Sequence, residues 1–357
     1  MSEIDVPQIS GPAAWRGGEL LNRADWTREL GPTEVGELLS LAGGVTSGPE
    51  GELHVRGTPI ETMAPEAFGI PGLSGFLKKV QTDLEEGAGA CLIRGFPVAG
   101  LSLTQSQGLF RAICSQVGTP LSQSAAGEKV FSVRDAGYRE GDPRVRGPNT
   151  RKRLSFHTDR CDVIGFLCLQ PARTGGENEI VSSATVCNEI GRRRPDLLRL
   201  LMQPYCYQRH TVDLGNELPY CHQPIFSWFD GHFAASFLRV LIERAHASPE
   251  VPPLTSGQKE ALDFLEAVAA EPELHLRFAQ AAGDILFMNN WVTMHRRTEF
   301  EDFEEPERKR HLLRVWLSVP NSRPLDPAFR ANFGATEAGA LRGGMKKADP
   351  PKARTVG

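Results

Sequence analysis

Three residues in this chain have the types and spacing to hold one metal ion. His157 and Asp159 lie two apart in Ser155-Phe156-His157-Thr158-Asp159, and side chains two apart on an extended segment project from the same face. His295, far downstream, follows the short apolar run Ile285-Leu286-Phe287-Met288. If the strand carrying His295 lies alongside the first segment, two imidazoles and one carboxylate converge on one side of an ion and leave its other side open. That is the coordination expected of a mononuclear non-haem Fe(II) oxygenase.

A second set of candidates lies on His311-Leu312-Leu313-Arg314-Val315-Trp316-Leu317-Ser318-Val319, the clearest strand in the chain. One face carries His311, Leu313, Val315, Leu317 and Val319, suited to packing under helices or a second sheet. The other carries Arg310, Leu312, Arg314, Trp316 and Ser318, so two guanidinium groups point inward with an indole beside them. A buried arginine is costly without an anionic partner, and a bidentate arginine is the usual holder of a carboxylate. At this level a salt bridge to a buried Asp or Glu explains the same pattern equally well.

The elements that must position these residues are legible in outline. Trp15 to Leu41 reads as two short helices joined near Gly31-Pro32, and Gly43 to Pro59 as a turn-rich connection. Leu73 to Glu86 has one apolar face of a helix, Ala90 to Pro97 reads as a buried strand ended by a turn, and Leu103 to Val117 as a helix stopped by Gly118 and Pro120. Gln123 to Thr150 holds a strand-like Val130-Phe131-Ser132-Val133 within a polar loop of the length used for lids. Val163 to Leu169 suits a strand covered on both faces, Thr174 to Asn178 turns the chain, and a helix is expected near Val186 to Leu201. Hairpins fill Pro204 to Gly231. Lys259 to Ala281 has helical spacing broken at Pro272, and the stretch from Asn332 reads as a loose tail.

Bulk properties narrow the function classes. The chain has 357 residues, 40% hydrophobic and 24% charged, with a formal net charge of -4, so it carries no overall basic field for nucleic acid or an anionic membrane. Arg192-Arg193-Arg194 reads as a solvated face. The acidic start and the lack of an apolar run near the ~20 residues that span a bilayer give no signal peptide and no membrane helix. Seven scattered cysteines without a CxxC pair read as small core residues in a reducing compartment, which points to the cytoplasm.

His157-Thr158-Asp159, then Gly175-Gly176, then Gly283-Asp284 leading to His295, then Arg310 and Arg314, resemble the clavaminate synthase-like, taurine/2,4-D dioxygenase (TauD/TfdA) superfamily of Fe(II)- and 2-oxoglutarate-dependent oxygenases. The resemblance runs from about Cys91 to Ser318. It implies an α+β fold, a double-stranded β-helix or jelly roll flanked by helices. Residues 1–72 are then an N-terminal extension packing on the core, 73–330 the oxygenase domain with a mixed insert at about 190–281, and 331–357 a C-terminal tail. The resemblance also implies Fe(II) on His157, Asp159 and His295, O2 as oxidant, and Arg310 as clamp for the distal carboxylate of 2-oxoglutarate. Arg314 is then within reach of cosubstrate or substrate. Where relatives offer Thr or Ser after the paired glycines, this chain has Glu177-Asn178, and Asn178 becomes the candidate amide donor. Asp159 favours oxygenation over the halogenation of relatives that lack the carboxylate.

The expected activity is hydroxylation, desaturation or cyclisation at an unactivated C–H of a small polar metabolite, with an amino acid or other carboxylate suggested by Arg314. No nucleic-acid or membrane partner is expected, and a homo-oligomer is left open. Two other readings stand beside it: a non-catalytic jelly-roll binding protein, and a zinc hydrolase, which lacks an HExxH helix and leaves Arg310 unexplained. His210, His222, His232 and His311 read as structural or surface histidines. Asp162 is balanced between support for a ligand and a turn carboxylate, and Asn289 and Asn290 between capping and substrate contact. Arg160 and Arg297 flank the ligands and face substrate or solvent. Tyr138, Arg146 and Asn149 fall in the presumed lid.

Overall fold

The computed structural model describes residues 8–124, 126–138, 147–210, 213 and 218–346; Arg146 lies outside them. A seven-stranded sheet runs in the order Thr27–Glu29, Ala90–Arg94, Ile285–Asn289, Val163–Gln170, His311–Ser318, Thr119–Leu121, with Phe131–Val133 also paired to His311–Ser318. The first pairing is parallel and the rest antiparallel. A smaller antiparallel sheet sets Asn178–Ser182 between His275–Phe278 and Thr293–Arg297.

Strand alternation sends neighbouring residues into different cores. On the last strand, Leu313, Val315 and Leu317 pack in one buried cluster with Leu77 and Val80 of the helix Pro71–Glu86 and with Leu109 and Ile113 of the helix Leu103–Val117. Their neighbour Trp316 turns the other way, into a cluster where Leu92, Ile164 and Leu286 of the large sheet meet Ile180 and Leu276 of the small one. Val181, next to Ile180, packs outward against Ile190, Leu198 and Leu265 of the helices Ser183–Arg193, Pro195–Leu201 and Ser256–Ala269. The result is an α+β stack of helices, sheet, sheet, helices, the double-sheet core that the expected jelly roll requires. The helix Leu103–Val117 begins where expected because Ser102 and Gln105 form a capping box, Gln105 N donating to Ser102 Oγ (3.1 Å) and Ser102 N to Gln105 Oε1 (2.9 Å). No helix among the described residues is long and apolar enough to cross a membrane.

Several local expectations are corrected. The two N-terminal helices are a single turn, Gly17–Leu20, and Pro32–Ala42, with Thr27–Glu29 between them drawn into the sheet by parallel pairing to Ala90–Arg94. Gly43 to Pro59 contains a three-stranded meander. The helix of the 259–281 region ends at Ala269, and His275–Phe278 is an edge strand of the small sheet, so the spacing of Leu274 and Leu276 is period two. The stretch after Asn332 is packed rather than loose as far as Lys346: Phe333, Arg342 and Met345 are buried.

Arg342 explains that packing. Its Nε donates to Asp162 Oδ1 (2.6 Å) and its Nη2 to the Arg323 carbonyl (2.9 Å). Asp162 also accepts from Trp291 Nε1 (2.8 Å) and Val319 N (3.0 Å), so it braces the C-terminal segment and the last strand and makes no hydrogen bond to the metal-site side chains. Both partners of the pair are fully buried, so removing one strands a charge. Arg342→Ala is expected to destabilise the fold by about 3–5 kcal/mol, read by urea denaturation; a loss below about 1 kcal/mol would show that the segment is held by its apolar contacts instead.

Candidate metal centre

His157 pairs with His295 across the opening of the sandwich. Each donates its main-chain N–H to the other's carbonyl at 3.0 Å, which places the two imidazoles with ring centroids 4.4 Å apart. Asp159 joins them from the same extended segment, its backbone N–H held by Asn290 Oδ1 (2.9 Å). Ligand atoms of His157, Asp159 and His295 all lie within 4.8 Å of one another. The His157 Nδ1–H donates to the Ser155 carbonyl (2.9 Å), which fixes the tautomer and turns Nε2 to the centre.

The electrostatics suit a cation. Burial, reinforced by His295, pushes the His157 pKa down to about 4, so its ring is neutral at pH 7 and free to ligate. Burial alone would raise the Asp159 carboxyl, but the Arg314 guanidinium and the two histidines outweigh it and hold it well below the usual carboxylate range. Asp159 Oδ2 is buried without a hydrogen-bond partner among the described residues, 3.5 Å from His295 Nε2. A charged oxygen orphaned beside two imidazoles is a poor structural feature and a good metal ligand.

The residues around this centre line a cavity of about 900 Å3. Arg310 enters it from the start of the last strand, with Nη1 buried and unpartnered and no ion pair to it among the described residues, so the salt-bridge reading of this inward arginine fails. Burial lowers its pKa to about 10. The paired glycines make room for it: Gly176 has φ +72°, and a Cβ there would lie 3.1 Å from Arg310 Nε, while a Cβ at Gly175 would lie 2.1 Å from the Glu299 carbonyl. Asn178 lines the same space and gives one amide proton to Gln280 Oε1 (3.0 Å), leaving its second N–H. Glu177 turns away to Thr298 (2.8 Å) and Arg277 (2.9 Å).

Arg314 sits deeper, its Nη1 3.8 Å from Asp159 Oδ1 and its Nε donating to Gln123 Oε1 (2.7 Å). Gln123 escaped the sequence reading: it is fully buried and reaches Arg314 across 191 residues, and no local pattern signals it. Arg297 also faces inward, over the Phe300 ring at 4.7 Å, its pKa pushed down to about 9 by burial and by Arg310. Arg160 and His210 line the cavity as well. His222 and His232 are exposed, and His311 meets Ser132 Oγ (3.0 Å); none of the three joins the centre. Asn289 is structural, donating to the Leu84 carbonyl (3.0 Å), whereas Asn290 positions Asp159. Of the lid candidates, Tyr138 is exposed and Asn149 half-buried in a short turn.

Comparison with known proteins agrees with this geometry. The family described as "Taurine catabolism dioxygenase TauD, TfdA family" matches residues 58–316. The chain is 28% identical to FR-33289 synthase of Streptomyces rubellomurinus, covering 98% of this chain and 99% of that one. It is 26% identical to a uridine-5'-phosphate dioxygenase of Streptomyces sp over 50% of this chain and 66% of that one. Among solved structures, asparagine oxygenase with Fe(II), 3-hydroxyasparagine and succinate superposes with a TM-score of 0.58 at 17% identity, covering 82% of this chain and 93% of that one. The non-heme iron oxygenase OrfP with Fe and alpha-ketoglutaric acid gives 0.58 at 16%, covering 88% and 99%. These structural likenesses establish a shared fold.

His157→Ala is expected to abolish stoichiometric Fe(II) binding in anaerobic calorimetry while the unfolding temperature changes little, because an open-sided ligand contributes less to folding than a core residue. Retention of one tightly bound ion per chain would remove His157 from the ligand set.

Proposed function

Because the chain belongs to the taurine catabolism dioxygenase TauD, TfdA family and is an oxidoreductase of the dioxygenase type, we propose that it is an Fe(II)- and 2-oxoglutarate-dependent oxygenase. It acts on an unactivated C–H of a small polar metabolite, with amino acids and other carboxylates as the first candidates. The observation that carries this reading is the buried His157–Asp159–His295 cluster opening onto a cavity that also holds an unpaired, buried Arg310. Iron and 2-oxoglutarate bound there supply oxidation of the substrate C–H by O2, coupled to conversion of 2-oxoglutarate into succinate and CO2. The seven cysteines, all buried and unpaired, suit the cytoplasm.

The chain's own residues contribute positioning, charge and dryness. His157 presents a neutral nitrogen, His295 a second imidazole beside it, and Asp159 a charged oxygen kept ionised by Arg314. Arg310 takes the distal carboxylate of 2-oxoglutarate in the fork geometry of a guanidinium, and Asn178 offers its free amide proton beside it. Phe166 and Leu312 line the space between these groups and exclude water, which strengthens each charge contact. Gln123 holds Arg314 against Asp159, so the carboxylate is oriented before any ligand arrives. Two solved structures of the same fold contain hydroxylated amino acids, asparagine oxygenase with 3-hydroxyasparagine and OrfP with hydroxyarginine, which supports a polar amino-acid-sized substrate.

With Fe(II), ascorbate and 2-oxoglutarate, the purified protein is expected to consume O2 and release succinate, faster with its substrate than without. No consumption across a broad panel of polar metabolites would favour the non-catalytic binding protein. Arg310→Leu is expected to raise the KM for 2-oxoglutarate roughly 10- to 100-fold, the loss of a charge-assisted hydrogen-bonded pair, with iron still bound. An unchanged KM would move the clamp to Arg314.

A further inference from the structure

The chain is acidic overall, at -4, yet its cavity is strongly basic. Among the described residues, ten lysine and arginine side chains line it against three carboxylates, Asp159, Glu243 and Glu266. Adding Asp213, Glu179 and Asp263, which pair with lining arginines from behind, still leaves cations in excess. One dianion held by Arg310 does not account for that field.

The excess has a specific location at the far end from Arg310. Arg310 and Trp316 lie on one face of the last strand six residues apart, about 20 Å. The main-chain N–H of Asp162 donates to the Leu317 carbonyl (3.0 Å), so the loop carrying Arg160 sits at the Trp316 end. There Arg160 and Arg209, both largely buried, share one fully buried carboxylate, Asp213: Arg160 Nη1 donates to Oδ2, and Arg209 Nη1 lies 3.7 Å from it. Asp213 Oδ1 is already taken by Lys346 N (2.9 Å). Two guanidiniums against one carboxylate leave a net positive charge, and Arg160 Nε and Arg209 Nη1 are buried with no hydrogen-bond acceptor among the described residues. Arg209 is held rigid by the Leu218 (2.8 Å) and Ala331 (2.5 Å) carbonyls. Trp316 Nε1, buried and also without an acceptor among the described residues, belongs to a residue lining the same cavity. Unsatisfied donors around surplus positive charge are costly unless an anion completes them.

We infer that Arg160 and Arg209 form a substrate anion site, taking a carboxylate- or phosphate-class oxyanion at the end of the cavity opposite Arg310, with Trp316 as a further donor. This rests on the oxygenase reading and deepens it: the metal centre beside Arg314 lies between the two anion sites. The substrate is therefore an anion whose reacting C–H is a few bonds from its charged group. Arg160 and Arg209 act as specificity determinants, and Asp213 keeps their donors aimed.

The test is anaerobic calorimetry on protein loaded with Fe(II) and 2-oxoglutarate, so that Arg310 is occupied, titrated with butyrate, propyl phosphate and, as a neutral control, 1-butanol. At least one anion should bind and 1-butanol should not, and the tighter anion assigns the class. Arg160→Gln and Arg209→Gln should each weaken that binding by roughly tenfold or more, Arg160→Lys should retain part of it, and the visible charge-transfer absorption of the Fe(II)–2-oxoglutarate complex should be unchanged in all three. Equal binding of anion and alcohol, or wild-type anion affinity in both glutamine variants, overturns the inference. If the wild-type absorption never forms, the oxygenase reading fails instead, and the same titration of the metal-free protein still decides the anion site. Should Arg160→Gln fail to fold, Arg209→Gln answers alone.

Discussion

The site depends on a reciprocal pair of main-chain hydrogen bonds between His157 and His295, each 3.0 Å. Those bonds set two candidate ligands side by side from segments almost 140 residues apart, and period-two geometry then brings Asp159 to the same face. A slip of one residue in that pairing would turn one imidazole to the opposite face. The packing of two sheets between helix layers keeps the register, since the strand Thr293–Arg297 is committed on both faces: His295 and Arg297 inward, Met294 into the outer core.

Charge is the second constraint. Arg310, Arg314 and Arg297 are all buried, and among the described residues only the Arg314 guanidinium lies within 4 Å of a carboxylate oxygen, that of Asp159, itself a candidate metal ligand. Such an interior is unfavourable as a resting arrangement and favourable once anions enter it. Elsewhere buried ions find counter-charges, as with Arg342 and Asp162 or Arg323 and Glu85. Gly176 serves the same end, since its left-handed backbone without a Cβ lets the main chain lie against the Arg310 side chain, while Gly175 lets it pass the Glu299 carbonyl.

Much of this was legible in the sequence because its signals are local or periodic. The His157/Asp159 spacing, the two-faced last strand and the capped helix Leu103–Val117 each follow from a few neighbouring residues. What was not legible depends on partners far away in the chain. Thr27–Glu29 is a strand only because Ala90–Arg94 is beside it, and Gln123 matters only because Arg314 reaches it. The stretch after Asn332 reads as a tail by its glycines and lysines, yet Arg342 finds Asp162 across 180 residues. Asp162 itself, balanced between support for a ligand and a turn carboxylate, is a buried strut for that segment.

The central claim is that one cavity holds iron on His157, Asp159 and His295 and the distal carboxylate of 2-oxoglutarate on Arg310. An anaerobic crystal structure of the protein with Fe(II) and 2-oxoglutarate tests it most directly. The account predicts a single metal bound by those three side chains and a distal carboxylate paired with the Arg310 guanidinium, with Arg160 and Arg209 untouched by the cosubstrate. A metal bound elsewhere, or 2-oxoglutarate seated on Arg160 and Arg209 with Arg310 unoccupied, would contradict it.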